Sequence, residues 1–142
     1  MLVLIQIGIG GALLLACAMV HILIIAKMIR HLKDDDHFGP DKSRTHQIMT
    51  VCFLFLGAII SHTLQIYISA LSLWLIGALP GYEEPIYFAL ATYQTLGYGD
   101  VVLTEQFRIL GAMISVTGIL MFGMTTAFLV GIFARVLDDD AR

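Results

Sequence analysis

Charged side chains are scarce in this sequence, at 13% of 142 residues, and their formal sum is only −3. Soluble domains have about 25% charged residues and about 45–50% apolar ones, whereas 58% of this chain is hydrophobic. A soluble domain of this size would be unable to bury so much apolar surface, so the composition indicates a membrane protein in a lipid bilayer. Because no basic face is available, the chain is predicted to bind no nucleic acid.

Residue patterns typical of catalysis, metal binding or voltage sensing are also lacking. The two cysteines, Cys17 and Cys52, lie in apolar runs at no metal-binding spacing, and each is interpreted as a small buried hydrophobic residue. No nucleophile with a neighbouring base and no cluster of metal ligands is recognisable. Arginines at every third position within a span, the mark of a voltage sensor, are absent too. The sequence therefore predicts no enzyme and no cofactor.

The chain does contain three long apolar runs, at residues 2–26, 48–79 and 106–137. At ~1.5 Å per helical residue, each can cross a hydrocarbon core of ~30 Å. The first run lacks the positively charged start of a signal peptide, and it is predicted to be a transmembrane helix within residues 1–30. The polar interval 31–47 contains the helix breaker Gly39-Pro40 and is predicted to be a linker.

Between the second and third runs lies a segment that is too short to span a membrane. Residues 85–94 are predicted to form a re-entrant helix with Pro85 in its first turn. The loop 95–100 follows, with the sequence Thr-Leu-Gly-Tyr-Gly-Asp. Glycine reaches backbone angles that other residues hold only at a cost, so the alternating glycines allow successive carbonyl groups to point to one side. A column of such carbonyls can replace the water shell of a cation.

The distribution of lysine and arginine predicts the topology. Five of them lie between Lys27 and Arg44, two lie at or beyond Arg135, and only Arg108 lies on the loop side. The cytoplasmic side of membrane proteins is enriched in these residues, so the linker and the tail 138–142 are placed in the cytoplasm. The N-terminus and the loop then lie outside. The small size favours a prokaryotic inner membrane.

These motifs resemble those of the pore-loop potassium channels. Gly97-Tyr98-Gly99-Asp100 matches the selectivity filter of that family, and Thr92 and Thr95 reproduce its Thr-x-x-Thr lead-in. Leu96 stands where the family usually has valine or isoleucine. The resemblance extends from Thr50 to Leu137, and in the last run it rests on Gly118-Ile119, Phe122-Gly123 and Thr125-Thr126-Ala127.

The resemblance implies an all-α membrane protein with three transmembrane helices, a re-entrant pore helix and a selectivity-filter loop, assembling as a fourfold pore. The pore domain would occupy residues 48–137, divided into an outer helix 48–79, a pore helix 85–94, a filter 95–100 and an inner helix 106–137. Because one chain supplies one loop, three identical subunits would complete a homotetramer. The implied function is K⁺-selective conduction, with K⁺ ions bound in the filter.

Roles for individual residues follow from the same resemblance. The groups that would bind K⁺ are the carbonyls of Thr95, Leu96, Gly97 and Tyr98 and the hydroxyl of Thr95. Gly99 would permit the filter conformation. Thr92 and Asp100 would support the filter, with Asp100 braced against the pore helix.

In the inner helix, the gate and the pore lining are assigned to Gly118, Met121, Met124, Thr125 and Phe128. Gly118 fits a hinge and close helix packing equally well, whereas packing is favoured for Gly123. In the other runs, His62 is predicted to bond a neighbouring helix, and His21 is predicted to lie towards the cytoplasm.

Two other functions remain open. Ala91 and Gln94 depart from the usual surroundings of such a filter, which favours a poorly selective monovalent cation channel as one alternative. The other is a non-conducting membrane adaptor with a vestigial pore loop. The acidic triplets 34–36 and 138–140 are interpreted as solvated surface charge rather than as a cation site.

Overall fold

Four helices make up the described part of the chain. The computed structural model describes the backbone of residues 2–34 and 43–140 and the side chains of residues 3–32 and 43–134. The helices are α1 (Leu2–Asp34), α2 (Arg44–Leu75), α3 (Glu83–Tyr93) and α4 (Arg108–Asp140). Three of them are long and apolar enough to cross a membrane, over Val3–Leu32, Arg44–Leu75 and Arg108–Ala134. The predicted all-helical class with three candidate spans is confirmed.

Capping groups shift the ends of α2 from their predicted positions. The helix begins at Arg44 because the Ser43 hydroxyl accepts a hydrogen bond from the backbone N–H of His46, at 3.3 Å. It ends at Leu75, short of the predicted residue 79, because Gly77 takes a left-handed φ of +66°. The next amide, that of Ala78, donates to the carbonyl of Leu73 at 2.9 Å. This Schellman arrangement satisfies the last carbonyls of the helix.

The remaining boundaries differ by a few residues. Helix α3 begins at Glu83 and keeps Pro85 in its first turn, and α4 runs from Arg108 to Asp140. Residues 31–34 and 44–47 of the predicted linker are therefore helical, and residues 138–140 of the predicted tail continue α4. Gly39-Pro40, His37, residues 35–36 of the first acidic triplet and residues 141–142 lie outside the described residues.

Helix α1 packs along both α2 and α4, whose backbones come close to each other at only a few positions. From the sequence, α1 is predicted to be an additional helix packed on the outside of the pore or against a neighbouring subunit; within the described residues it contacts α2 and α4 of its own chain. Two glycines let it approach closely: a Cβ added to Gly10 would lie 2.6 Å from Cβ of Met113 on α4, and one added to Gly57 of α2 would lie 2.7 Å from the sulfur of Met28. Helices packed through such small residues are common in membranes.

A buried glutamine fixes the direction of α1 relative to α4. The Oε1 atom of Gln6 accepts hydrogen bonds from the backbone N–H groups of Ile109 at 3.0 Å and Leu110 at 3.4 Å. The first amides of a helix have no partner within it, so Gln6 satisfies two of them from a neighbouring helix. The starts of α1 and α4 therefore lie on the same side of the bundle, as three successive crossings require.

Gly118 lies where α4 meets the end of α3. A Cβ at this position would collide with the carbonyl oxygen of Tyr93, so close packing alone requires a glycine here. Gly123, for which packing was favoured, shows no such contact: within the described part of the chain, nothing lies within 4 Å of its Cβ position. The expectation for Gly123 is thus not met inside one subunit.

We expect Gly118→Ala to lower the free energy of unfolding by about 1–3 kcal/mol, because the added methyl group must displace the α3 backbone. The thermal midpoint of the detergent-solubilised protein measures this change. Gly131→Ala, on the same helix with open space around its Cβ position, is the matched control and should be neutral or stabilising by up to about 1 kcal/mol. Equal midpoints for the two variants would contradict the contact.

Candidate functional site

The loop after α3 is tied to that helix by backbone hydrogen bonds. The amide of Thr95 donates to the carbonyl of Thr92 at 3.0 Å, and the amide of Leu96 donates to the carbonyl of Ala91 at 2.9 Å. The Thr92 carbonyl also accepts a bond from the Ser115 hydroxyl of α4, at 3.0 Å. These bonds use carbonyls that the end of a helix leaves without partners, and they hold the first residues of the loop in place.

Along this loop the sign of the backbone φ angle alternates from one residue to the next. The φ angle is +59° at Thr95, +61° at Gly97 and +79° at Gly99, whereas Leu96 and Tyr98 between them have negative φ. When successive residues alternate in this way, their N–H groups turn to one side of the chain, and their carbonyls turn to the other. A threonine with positive φ costs about 1–3 kcal/mol, and the bonds from Thr95 and Leu96 to α3 hold it there.

At the far end of the loop, Asp100 is bonded to α3. The phenol of Tyr87 donates a hydrogen bond to Oδ2 of Asp100 at 2.6 Å. This bond lowers the pKa of the Asp100 carboxyl, because it stabilises the charged form, and it raises the pKa of the Tyr87 phenol. The resemblance implies a brace between Asp100 and α3, but it does not indicate that Tyr87 supplies it. The signal was a tyrosine one helical turn before Ala91, on the side of α3 that faces the loop.

A cavity of about 170 Å³ lies between α3 and the loop. Tyr87, Phe88 and Ala91 line it from the helix, and Gly97 to Val102 line it from the loop. Ala91 is too small to fill this space and has no polar side-chain atom that could bond the loop. The Tyr87 phenol is therefore the side chain through which α3 holds Asp100.

The structure locates the α4 residues that the resemblance assigns to the pore lining. Met121 is 2% exposed and Thr125 is 9% exposed, while Phe128 packs against Met28, Leu32 and Leu54. These three residues share the helix face that meets α1 and α2, where Met121 and Thr125 are buried and Phe128 is partly buried. Met124 is 37% exposed and lies at the edge of that face. The opposite face of α4 consists of exposed residues: Ala112, Ile119, Gly123, Thr126 and Val130.

Two intramembrane histidines also have defined places. His62 is bonded to neighbouring helices, as the sequence predicted: Nδ1 lies 3.0 Å from the Tyr93 hydroxyl and Nε2 lies 2.9 Å from Oγ1 of Thr125. The placement of His21 towards the cytoplasm stays a prediction. Its side chain is fully buried within the bundle and lies 2.8 Å from the Ser61 hydroxyl.

Comparison with known proteins locates this geometry in a family. Residues 48–135 match the family model described as "Ion channel". The match covers more than half of the chain and includes α2, α3, the loop and most of α4. The chain belongs to this ion channel family. Helix α1 lies outside the matched segment, and neither a curated protein nor a solved structure gives a significant match.

For this ion channel we expect low pH to weaken the hydrogen bond between Tyr87 and Asp100, because it protonates the Asp100 carboxylate. A carboxylate with a lowered pKa stabilises the fold above its unfolded pKa, and that contribution is lost as the pH falls through the folded pKa. In Tyr87→Phe the pKa of Asp100 should rise towards 3.8, its ordinary value, so protonation should begin at higher pH than in the wild type. A carboxyl ¹³C titration of Asp100 measures the midpoint directly.

The matched control is Tyr82→Phe, which removes an exposed phenol just before α3. This control should leave the Asp100 midpoint unchanged. A midpoint that is the same in the wild type and in Tyr87→Phe would contradict a functional hydrogen bond between Tyr87 and Asp100.

Proposed function

We propose that this chain forms a K⁺-selective channel in which four copies place their 95–100 loops around one axis. The observation that carries the proposal is the alternating sign of the backbone φ angle from Thr95 to Gly99. In the proposed pore, the carbonyls of Thr95, Leu96, Gly97 and Tyr98 and the Thr95 hydroxyl replace the hydration shell of K⁺. Peptide carbonyls carry only partial charge, so they hold the ion without preventing its release.

The side chains of the loop support assembly around an axis. Leu96 is 52% exposed and Tyr98 is 68% exposed in the single chain. Both point away from the carbonyl side in the proposed filter. Large exposed apolar side chains such as these mark a surface that another protein chain buries. In the proposed ring, the neighbouring subunits bury them. Asp100, held by Tyr87, then lies at the outer mouth.

The length of α3 supports a re-entrant position. Its 11 residues correspond to roughly half the thickness of the hydrocarbon core at ~1.5 Å per residue, so it enters the membrane without crossing it. Its C-terminal end, which carries partial negative charge from the helix dipole, adjoins the inner end of the loop. A dehydrating cation is stabilised at that point.

The orientation follows from charge. Lys27, Arg30 and Arg44 lie at the end of the bundle opposite the loop, and the positive-inside rule places that end in the cytoplasm. The start of α1 and the filter mouth then face outward. We place the channel in a prokaryotic inner membrane in this orientation.

The reversal potential of the purified protein in planar bilayers, with K⁺ on one side and Na⁺ on the other, tests the proposal. We expect reversal near the K⁺ equilibrium potential. Robust current reversing near zero would support the poorly selective cation channel and direct attention to Ala91 and Gln94. Assembled tetramers that pass no current across the tested voltages and pH values would support the adaptor.

A pair of glycine variants sharpens this measurement. Gly97→Ala should abolish K⁺ selectivity, because alanine holds a φ of +61° only at a cost of about 1–2 kcal/mol in each of the four subunits. Gly77→Ala is the matched control: it has a φ of +66°, it likewise has open space at its Cβ position, and it lies outside the loop. The control should keep the wild-type reversal potential. Loss of selectivity in both variants would contradict a specific role of the loop.

Thermal stability of the assembled protein gives a second, independent test. Ions bound only by an assembled filter stabilise the tetramer by mass action, by about 2.7 kcal/mol when the ion concentration is 100 times its dissociation constant. We therefore expect a higher dissociation temperature in K⁺ than in Na⁺ at equal ionic strength, and no such difference for Gly97→Ala. Identical temperatures in both salts for the wild type would count against K⁺ binding.

A further inference from the structure

Polar side chains from all four helices form a closed ring of hydrogen bonds inside the bundle. The ring consists of His21 from α1, His62 and Gln65 from α2, Tyr93 from α3 and Thr125 from α4. Three of them are fully buried, Thr125 is 9% exposed and His62 is half-buried. The distances around the ring are 3.1 Å (Gln65 Nε2 to His21 Nδ1), 3.2 Å (His21 Nε2 to Thr125 Oγ1), 2.9 Å (Thr125 Oγ1 to His62 Nε2), 3.0 Å (His62 Nδ1 to Tyr93 hydroxyl) and 2.9 Å (Tyr93 hydroxyl to Gln65 Oε1).

The carbonyl of Ser61 sets the direction of the donors. It only accepts, and it lies 3.1 Å from Nε2 of Gln65, so the amide nitrogen of Gln65 must face it. The amide oxygen therefore faces Tyr93 and can only accept, which makes the Tyr93 hydroxyl its donor. The same hydroxyl then accepts from the Nδ1–H of His62.

The rest of the ring follows from the chemistry of neutral imidazole, which has one donor and one acceptor nitrogen. With its proton on Nδ1, His62 accepts at Nε2 from the hydroxyl of Thr125 at 2.9 Å, for whose proton the carbonyl of Met121 at 3.1 Å is the competing acceptor. The Thr125 oxygen accepts from the Nε2–H of His21. The bare Nδ1 of His21 accepts from the Ser61 hydroxyl at 2.8 Å and from Gln65 at 3.1 Å. Every donor in the ring thus has an acceptor while both histidines are neutral.

Closure makes each member depend on the others. In a membrane interior no water replaces a lost partner. Without His21, Gln65 and Thr125 must therefore re-form their hydrogen bonds with the remaining groups, which are Ser61, His62 and the carbonyl of Met121. The contribution of α1 to the ring is His21. A change at His21 therefore reaches Gln65 and Thr125 directly, and Tyr93 through them.

Tyr93 connects the ring to the loop. It is the last residue of α3 and precedes Thr95 by two positions. Its hydroxyl belongs to the ring, and its carbonyl oxygen lies against Gly118 of α4. The ring of Phe122 stacks on His62 with centroids 4.5 Å apart and meets Tyr93 edge-on at 5.6 Å. Tyr93 is thus fixed at both ends at the point where the loop begins.

We propose that His21 is a positioning residue for ion selectivity, acting through the hydrogen-bond ring on Tyr93 and so on the base of the filter. This inference rests on the proposed K⁺-selective function. According to this proposal, α1, which lies outside the family match, contributes to ion selectivity.

The test is the K⁺/Na⁺ permeability ratio of the full chain in planar bilayers. His21→Leu removes both ring contacts of α1, and we expect it to lower the ratio about tenfold, equivalent to about 1.4 kcal/mol. His21→Gln should keep a ratio close to the wild-type value, because its amide supplies one acceptor and one donor. The matched control, His31→Leu, makes the same change on α1 at an exposed position outside the ring and should also leave the ratio unchanged.

A double variant separates action through the ring from an independent effect. Tyr93→Phe should lower the ratio by itself, and His21→Leu combined with Tyr93→Phe should be no worse than either alone, since one interruption already opens the ring. Reductions that multiply in the double variant would overturn the inference, as would a wild-type ratio in His21→Leu.

Two further outcomes keep the proposals distinct. If His21→Leu does not assemble, Thr125→Val decides: it interrupts the ring between the two histidines at nearly constant volume, and a wild-type ratio in that variant would overturn the inference. If the unmodified chain itself is not K⁺-selective, the proposed function fails. A selective wild type with unaffected ring variants removes only the role of the ring.

Discussion

The absence of water in the bilayer core governs this structure, because every polar group there must find a partner within the protein. Within a helix the backbone N–H and C=O groups bond each other. The groups at helix ends and in the loop need other partners. Gln6 pairs two amides at the start of α4. The ends of α3 and the loop share hydrogen bonds through Ala91 and Thr92. In the proposed pore, the carbonyl side of the loop is the place where the partner is an ion instead of the protein.

The same constraint explains the position of α1. Helices in a membrane gain little from the hydrophobic effect, so they associate through close packing and hydrogen bonds. Gly10 and Gly57 allow the close packing, and Gln6 and His21 supply the bonds. Helix α1 therefore packs closely along both α2 and α4, whose backbones approach each other at only a few positions. It is part of the same helix bundle, even though the family match begins only at residue 48.

The sequence predicted the features that depend on length and local chemistry. The three spans follow from hydropathy because a helix must cover the hydrocarbon core, and the special backbone of the loop follows from its glycines. The ends of α2 were misplaced because Ser43 and Gly77 act through capping geometry, which hydropathy does not reveal. The face of α4 that packs against α1 and α2 was also not predicted, since α4 carries apolar residues on all of its faces. Its buried face is set by α1, whose position no motif indicated.

The contact between α4 and Tyr93 limits how α4 can bend in this channel. Gly118 has two interpretations, a hinge and a packing contact, and the structure shows that they concern the same atoms. A bend of α4 at Gly118 would change the contact with the carbonyl of Tyr93, and it would carry Phe122 away from His62 and Tyr93. Because Tyr93 leads directly into the loop, α4 cannot bend there without altering the support of the loop. A bend of α4 at Gly118 and a change in the backbone where the loop begins are therefore coupled through Tyr93, and His21 of α1 is hydrogen-bonded to α4 in the same cluster.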